Sequence, residues 1–123
     1  MNILIIGTGM YVSGRGTDGF GTIFPAVCEY QRKTNLISNV LIAGTDINRT
    51  KETEIKILET LKLSGVKLNC SFFPSSNNLL KSYKDILKEN KIDLAIIVVP
   101  DHLHYKIVKD CMSLKIHVLV VKP

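Results

Sequence analysis

The sequence predicts an α/β protein: a doubly wound parallel sheet, three layers deep (α/β/α), with strand order 3-2-1-4-5. Three observations carry that expectation. Short apolar runs alternate with segments of helical period along all 123 residues. The runs are apolar throughout rather than alternately apolar and polar, as in strands covered on both faces. Glycine and proline punctuate the junctions, and no repeat, low-complexity tract or linker interrupts the series.

Residues 2–6 (NILII) read as the first strand, ending at Gly7. A glycine-rich stretch follows, then a helix over 22–33. Pro25 is tolerated there because the first turn makes no use of its missing N–H. Residues 40–43 form a second strand, with Gly44, Thr45 and Asp46 leading out of it. An amphipathic helix over 50–63 takes Ile55, Leu58 and Leu61 as its apolar stripe, with Lys51, Glu52, Lys56, Glu59 and Lys62 turned elsewhere. Ser64-Gly65 ends it. A third strand over 67–73 closes at Pro74. Leu79, Tyr83 and Ile86 or Leu87 set the next helix, with Ser75 or Ser76 as N-cap. Residues 93–99 (DLAIIVV) are a strand stopped by Pro100. Asp101 caps the helix after it, whose stripe runs Leu103, Ile107, Cys111 and Leu114. The last strand covers 116–121. A sheet edge finishing on Lys122-Pro123, with no closing helix, reads as a cut domain.

Composition narrows the function classes. With 46% hydrophobic and 22% charged residues the chain is globular rather than disordered. No apolar run reaches the roughly 18–20 residues of a membrane span. The opening Met1-Asn2-Ile3-Leu4 lacks a basic n-region, so a cytoplasmic location is the expectation. Cys28, Cys70 and Cys111 are odd in number and far apart, which reads as reduced, buried thiols rather than a metal site. The net charge of +5 is spread along the chain without interleaved aromatics. Neither nucleic acid nor a membrane is therefore an expected partner.

Four signals bear on chemistry. The turn Gly7-Thr8-Gly9, with Met10 after it, follows the first strand, where glycines let a pyrophosphate approach the backbone and the next helix offers free N–H groups. The third glycine of a GxGxxG pattern is Val12; a nine-residue insertion would restore it at Gly21. The inserted loop has two readings: a lid over the phosphates with Arg15 as charge partner, or a merely flexible excursion. Asp46, beyond the second strand, suits the hydroxyls of an adenosine ribose and repels a 2′-phosphate, or else caps the following helix. Arg49 keeps NADP open beside NAD. Pro100, Asp101, His102 and His104 flank the switch point of the sheet, where turn and capping roles compete with catalysis. His117, inside the last strand, reads as structural. Lys122 ends the last strand, as a solvated charge or as a group touching the reacting centre.

The run DLAIIVVPDHLHYKIVKDCMSLKIHVLVVKP resembles a composite of the Gfo/Idh/MocA oxidoreductases: strand, Pro, three residues and His, helix, then HVLVEKP. GTIFPAV is similar to that family's first helix, and SYKDILKENKID to its stretch before the fourth strand. The resemblance covers the whole chain and implies a Rossmann-type NAD(P)-binding domain of a dehydrogenase acting on a sugar, cyclitol or similar polyol. It assigns the pyrophosphate turn to Gly7, Thr8 and Gly9, the ribose carboxylate to Asp46, and the nicotinamide side to Pro100, Asp101 and His104. Lys122 becomes the lysine of E-K-P. It further implies a missing second domain that carries most of the substrate pocket and through which members associate. Two features depart from the pattern: Val121 stands for the glutamate of E-K-P, and the glycine loop is longer. Two rivals stay open, a non-catalytic cofactor sensor on this scaffold and another Rossmann enzyme such as a methyltransferase. The Lys122-Pro123 ending and the Pro100/His104 spacing speak against the second.

Overall fold

The structure, a computed structural model, describes residues 1–76 and 82–121. Five parallel strands, β1 (Asn2–Ile6), β2 (Asn39–Ala43), β3 (Asn69–Phe73), β4 (Leu94–Ile97) and β5 (His117–Val120), lie in the order β3-β2-β1-β4-β5. Helices α1 (Met10–Ser13), α2 (Ile23–Thr34) and α3 (Ile47–Ser64) connect the first three strands, and α4 (Tyr83–Glu89) and α5 (His104–Ser113) the last two. This is the doubly wound, Rossmann-type arrangement that the sequence predicts.

The central strand explains the apolar runs. Ile6 of β1 pairs with Ala43 of β2 on one side and Ile97 of β4 on the other. Successive side chains leave a strand on opposite faces. Ile3 and Ile5 thus join Phe24, Val27 and Ile57 under α2 and α3, while Leu4 and Ile6 join Ile86, Ile107 and Cys111 under α4 and α5. With both faces covered, residues 3–6 are apolar without a break, and each such side chain contributes about 1.5–3 kcal/mol. The edge strand β5 departs from this: Leu119 and Val120 are 51% and 40% exposed.

The expectations for three helices are corrected. Helix α3 starts at Ile47, not residue 50, because Asp46 caps it by accepting the Arg49 amide at 2.9 Å. Its buried face is Thr50, Thr53, Ile57 and Thr60, whereas Ile55 and Leu58 are 60% and 54% exposed. A buried threonine is tolerated when its hydroxyl bonds back to a helix carbonyl. Thr50 does so to Asp46 (2.8 Å) and Thr60 to Lys56 (3.0 Å). Helix α4 is capped by Ser82 rather than Ser75 or Ser76; the Asp85 carboxylate accepts the Ser82 amide at 3.1 Å. Leu79 lies outside the described residues. Before α5 a 3₁₀ turn, Asp101–Leu103, intervenes, so Asp101 is not that helix's cap. Leu103 is left in the turn and Leu114 beyond the helix end, both exposed, while Ile107 and Cys111 are buried.

The thiols of Cys28, Cys70 and Cys111 are free; the first and last are buried and Cys70 is half-buried. No helix among the described residues is long and apolar enough to cross a membrane.

Candidate functional site

Parallel strands end together, and the helices that follow β1 and β4 leave to opposite faces, so a crevice opens where they part. Here it is a cleft of about 800 Å³. The first turn contributes Gly7, Thr8 and Gly9 to its lining, α1 Met10 and Tyr11, and the loop after it Arg15. Gly44, Thr45 and Arg49 enter from the end of β2, and Val98, Val99, Pro100 and Asp101 from the end of β4. Tyr83, Lys106 and Val121 complete the opposite wall.

The two glycines of the first turn are there for different reasons. Gly7 has φ +126°, and a Cβ on it would lie 2.0 Å from the Val98 carbonyl oxygen. Only glycine fits that approach of two backbones. Gly9 has an ordinary φ of −70°, and a Cβ there would meet nothing within 4 Å. The fold does not require Gly9 to be glycine; its missing side chain leaves the cleft floor open to a ligand.

The insertion is not a free excursion. Directly after Gly9 the chain coils into the single turn α1, which sends Val12 into the core, fully buried. The long helix α2 starts only at Ile23, so its N-terminus does not continue the glycine turn. Residues 14–22 fold back: the Thr22 amide donates to the Tyr11 carbonyl (2.9 Å) and Lys56 Nζ to the Gly19 carbonyl (3.0 Å). Gly21, at φ +74°, packs against the backbone of α1, where a Cβ would lie 2.7 Å from the Tyr11 oxygen. Its contact is with that turn, not with a strand. Arg15 reaches back to the first turn, its Nε donating to the Thr8 carbonyl at 2.7 Å and its Nη1 lying 3.6 Å from Glu52.

Of the residues singled out in the sequence beyond the glycine turn, Arg49, Pro100 and Asp101 line the cleft, while Asp46 and His104 fall outside its lining. Asp46 is exposed at the rim. The Arg49 amide above all, helped by the Asn48 amide and the charges of Arg49 and Arg15, holds its carboxyl below the usual aspartate value against the opposing effect of desolvation. It is therefore ionised at neutral pH. His104 turns to a neighbouring surface groove with Nε2 2.8 Å from the Val99 carbonyl and Nδ1 3.6 Å from Asp101. A carbonyl only accepts, so the proton sits on Nε2. His102 and His117 are exposed, and Lys122 lies outside the described residues.

Sequence reasoning missed Tyr83, which reads there only as one residue of a helical stripe. Its hydroxyl donates to Asp110 at 2.7 Å, tying α4 to α5 and fixing the ring at the cleft wall. Burial, then the Asp110 hydrogen bond, pushes the phenol well above its ordinary value. The pair is 27 residues apart, and no local spacing announces it. Among the described residues no group of three His, Cys, Asp or Glu is placed to hold a metal.

A family model described as "Oxidoreductase family, NAD-binding Rossmann fold", that of Gfo/Idh/MocA, matches residues 1–123. The chain belongs to this family. It is an NAD(P)-binding Rossmann domain of oxidoreductase type. No curated protein matches the sequence. Among solved structures, apo histidine-tagged saccharopine dehydrogenase (L-Glu forming) from Saccharomyces cerevisiae is similar at 19% identity and a TM-score of 0.49. The similarity covers 99% of this chain and 22% of that one.

Proposed function

We propose that this Gfo/Idh/MocA domain holds the dinucleotide of an oxidoreductase that moves a hydride between nicotinamide and a carbinol carbon of a sugar, cyclitol or similar polyol. The cleft beside Gly9 carries this reading, because it opens at the switch point and Gly9 puts no side chain into it. Gly7, Thr8, Gly9 and Met10 bring backbone close to the diphosphate, with Arg49 at one flank. Asp46, ionised at the rim, takes the adenosine ribose hydroxyls with the accepting capacity that its cap bond leaves unused. Its charge favours NAD over NADP, whose extra phosphate it repels. Pro100 and Asp101 border the nicotinamide side, and Tyr83 offers a flat wall to one of the cofactor rings. His104, engaged by Val99, shapes the turn under Asp101 rather than moving a proton.

When bound, the nicotinamide supplies the hydride acceptor or donor at its C4. Lys122, next in the chain after the cleft-lining Val121, transfers the hydroxyl proton or polarises the oxygen of the substrate. Residues 1–123 hold the cofactor in this reading, and a second domain would supply most of the substrate pocket. Titration with NADH, followed by nicotinamide fluorescence, tests the reading, with S-adenosylmethionine as competitor. Binding of NADH that S-adenosylmethionine does not displace is the expected result; the reverse preference would replace it with a methyltransferase. Val121, in place of an acidic residue on the cleft wall, favours a second reading, a cofactor sensor without catalysis. Hydride transfer by a longer chain containing the second domain would exclude that alternative.

A further inference from the structure

The loop between α1 and α2 carries a contact that cofactor binding by the glycine turn does not by itself require. Arg15, half-buried, spends its Nε–H on the carbonyl of Thr8 at 2.7 Å, and Thr53 Oγ1 approaches the same oxygen at 3.4 Å. Its Nη1 faces Glu52 at 3.6 Å, so part of its charge is already offset by a carboxylate. A trans peptide points its C=O and the following N–H in opposite directions. Fixing the Thr8 oxygen toward Arg15 and α3 therefore fixes the Gly9 N–H away from them. No described residue accepts from that amide, and Gly9 lines the cleft. The loop itself is braced, since the Thr17 amide and hydroxyl both donate to the Gly14 carbonyl (2.9 and 2.7 Å).

We propose that Arg15 is a positioning residue that locks the Thr8–Gly9 peptide so that the Gly9 amide faces the diphosphate of the cofactor. This rests on the dinucleotide reading above and assigns the inserted loop a task within it. Arg15 acts through the backbone, not as a cation laid on the phosphates. A preset donor spares the ordering cost that a freely rotating peptide carries into binding.

Glutamine separates the two roles, because its Nε2 lies the same number of bonds from Cα as the arginine Nε and bears no charge. NADH affinity is measured for the wild type, Arg15→Met, Arg15→Gln and Arg15→Lys, and the Gly9 amide resonance is followed by ¹⁵N NMR in each cofactor-free chain. Arg15→Met weakens NADH about tenfold, equivalent to about 1.4 kcal/mol, and shifts the Gly9 resonance. Arg15→Gln stays within about threefold of the wild type and restores the resonance, the neutral donor having replaced the lost bond. If Arg15→Gln is as weak as Arg15→Met while Arg15→Lys keeps its affinity, charge acts directly and the proposal falls. It falls equally if Arg15→Met leaves the Gly9 resonance in place. A wild type that does not take NADH overturns the dinucleotide reading instead, and the resonance then still decides whether Arg15 locks the peptide.

Discussion

Gly7 and Gly9 stand two residues apart in one turn, and their substitution separates folding from binding. Alanine at Gly7 meets the Val98 carbonyl in a conformation that disfavours any Cβ, so Gly7→Ala costs at least about 3 kcal/mol in urea unfolding. Alanine at Gly9 enters open space in an ordinary conformation. Gly9→Ala therefore keeps stability within about 0.5 kcal/mol and weakens NADH at least tenfold, as fluorescence titration will show. Asp46→Ala is expected to narrow the preference for NAD over NADP in paired titrations. The Asp46 carboxyl titrates below its ordinary value in the folded chain. Its contribution to stability is thus complete above the unfolded value of about 4 and is lost as pH falls through the lower folded value. At this scale the sequence already shows the glycine turn and the aspartate. It does not show that Arg15 reaches across the turn to Thr8, since that contact depends on how the loop folds back.

Helix α3 shows where pattern reading succeeds and where it misleads. Its existence and its end at Gly65 are legible from sequence, because helical period and a C-terminal glycine are local signals. Its orientation is not. Counting aliphatic residues selects Ile55 and Leu58, yet the helix buries three threonines and Ile57. The threonines qualify because Thr50 and Thr60 bond to their own helix and Thr53 reaches the glycine turn. Ile57→Ala should cost about 2–5 kcal/mol in urea unfolding. Ile55→Gln and Leu58→Gln should each stay within about 0.5 kcal/mol, and the reverse ranking would restore the simple stripe. Helix α4, by contrast, starts at Tyr83 behind a local signal, the Ser82–Asp85 capping box, and a 3₁₀ turn precedes α5.

Across the whole molecule, two buried thiols and one half-buried thiol are expected to make the fold sensitive to alkali. Burial raises Cys70 to about 12 and Cys111 to about 11 from an ordinary 9.0, and it raises Cys28 in the same direction. The unfolded chain ionises these groups first, so their stabilising contribution is complete below about pH 9 and shrinks as pH rises through the folded values. Urea midpoints should fall between pH 9 and pH 11, and a midpoint unchanged at pH 10.5 would contradict this. The strand order, the three layers and the glycine turn at the end of β1 were legible in the sequence, because strands covered on both faces are apolar almost throughout and glycine must stand where two backbones nearly touch. Which face of α3 turns inward, how the inserted loop lies over the first turn, and the Tyr83–Asp110 tie were decided by tertiary packing. Those contacts join residues far apart in the chain, and no local period or motif encodes their meeting.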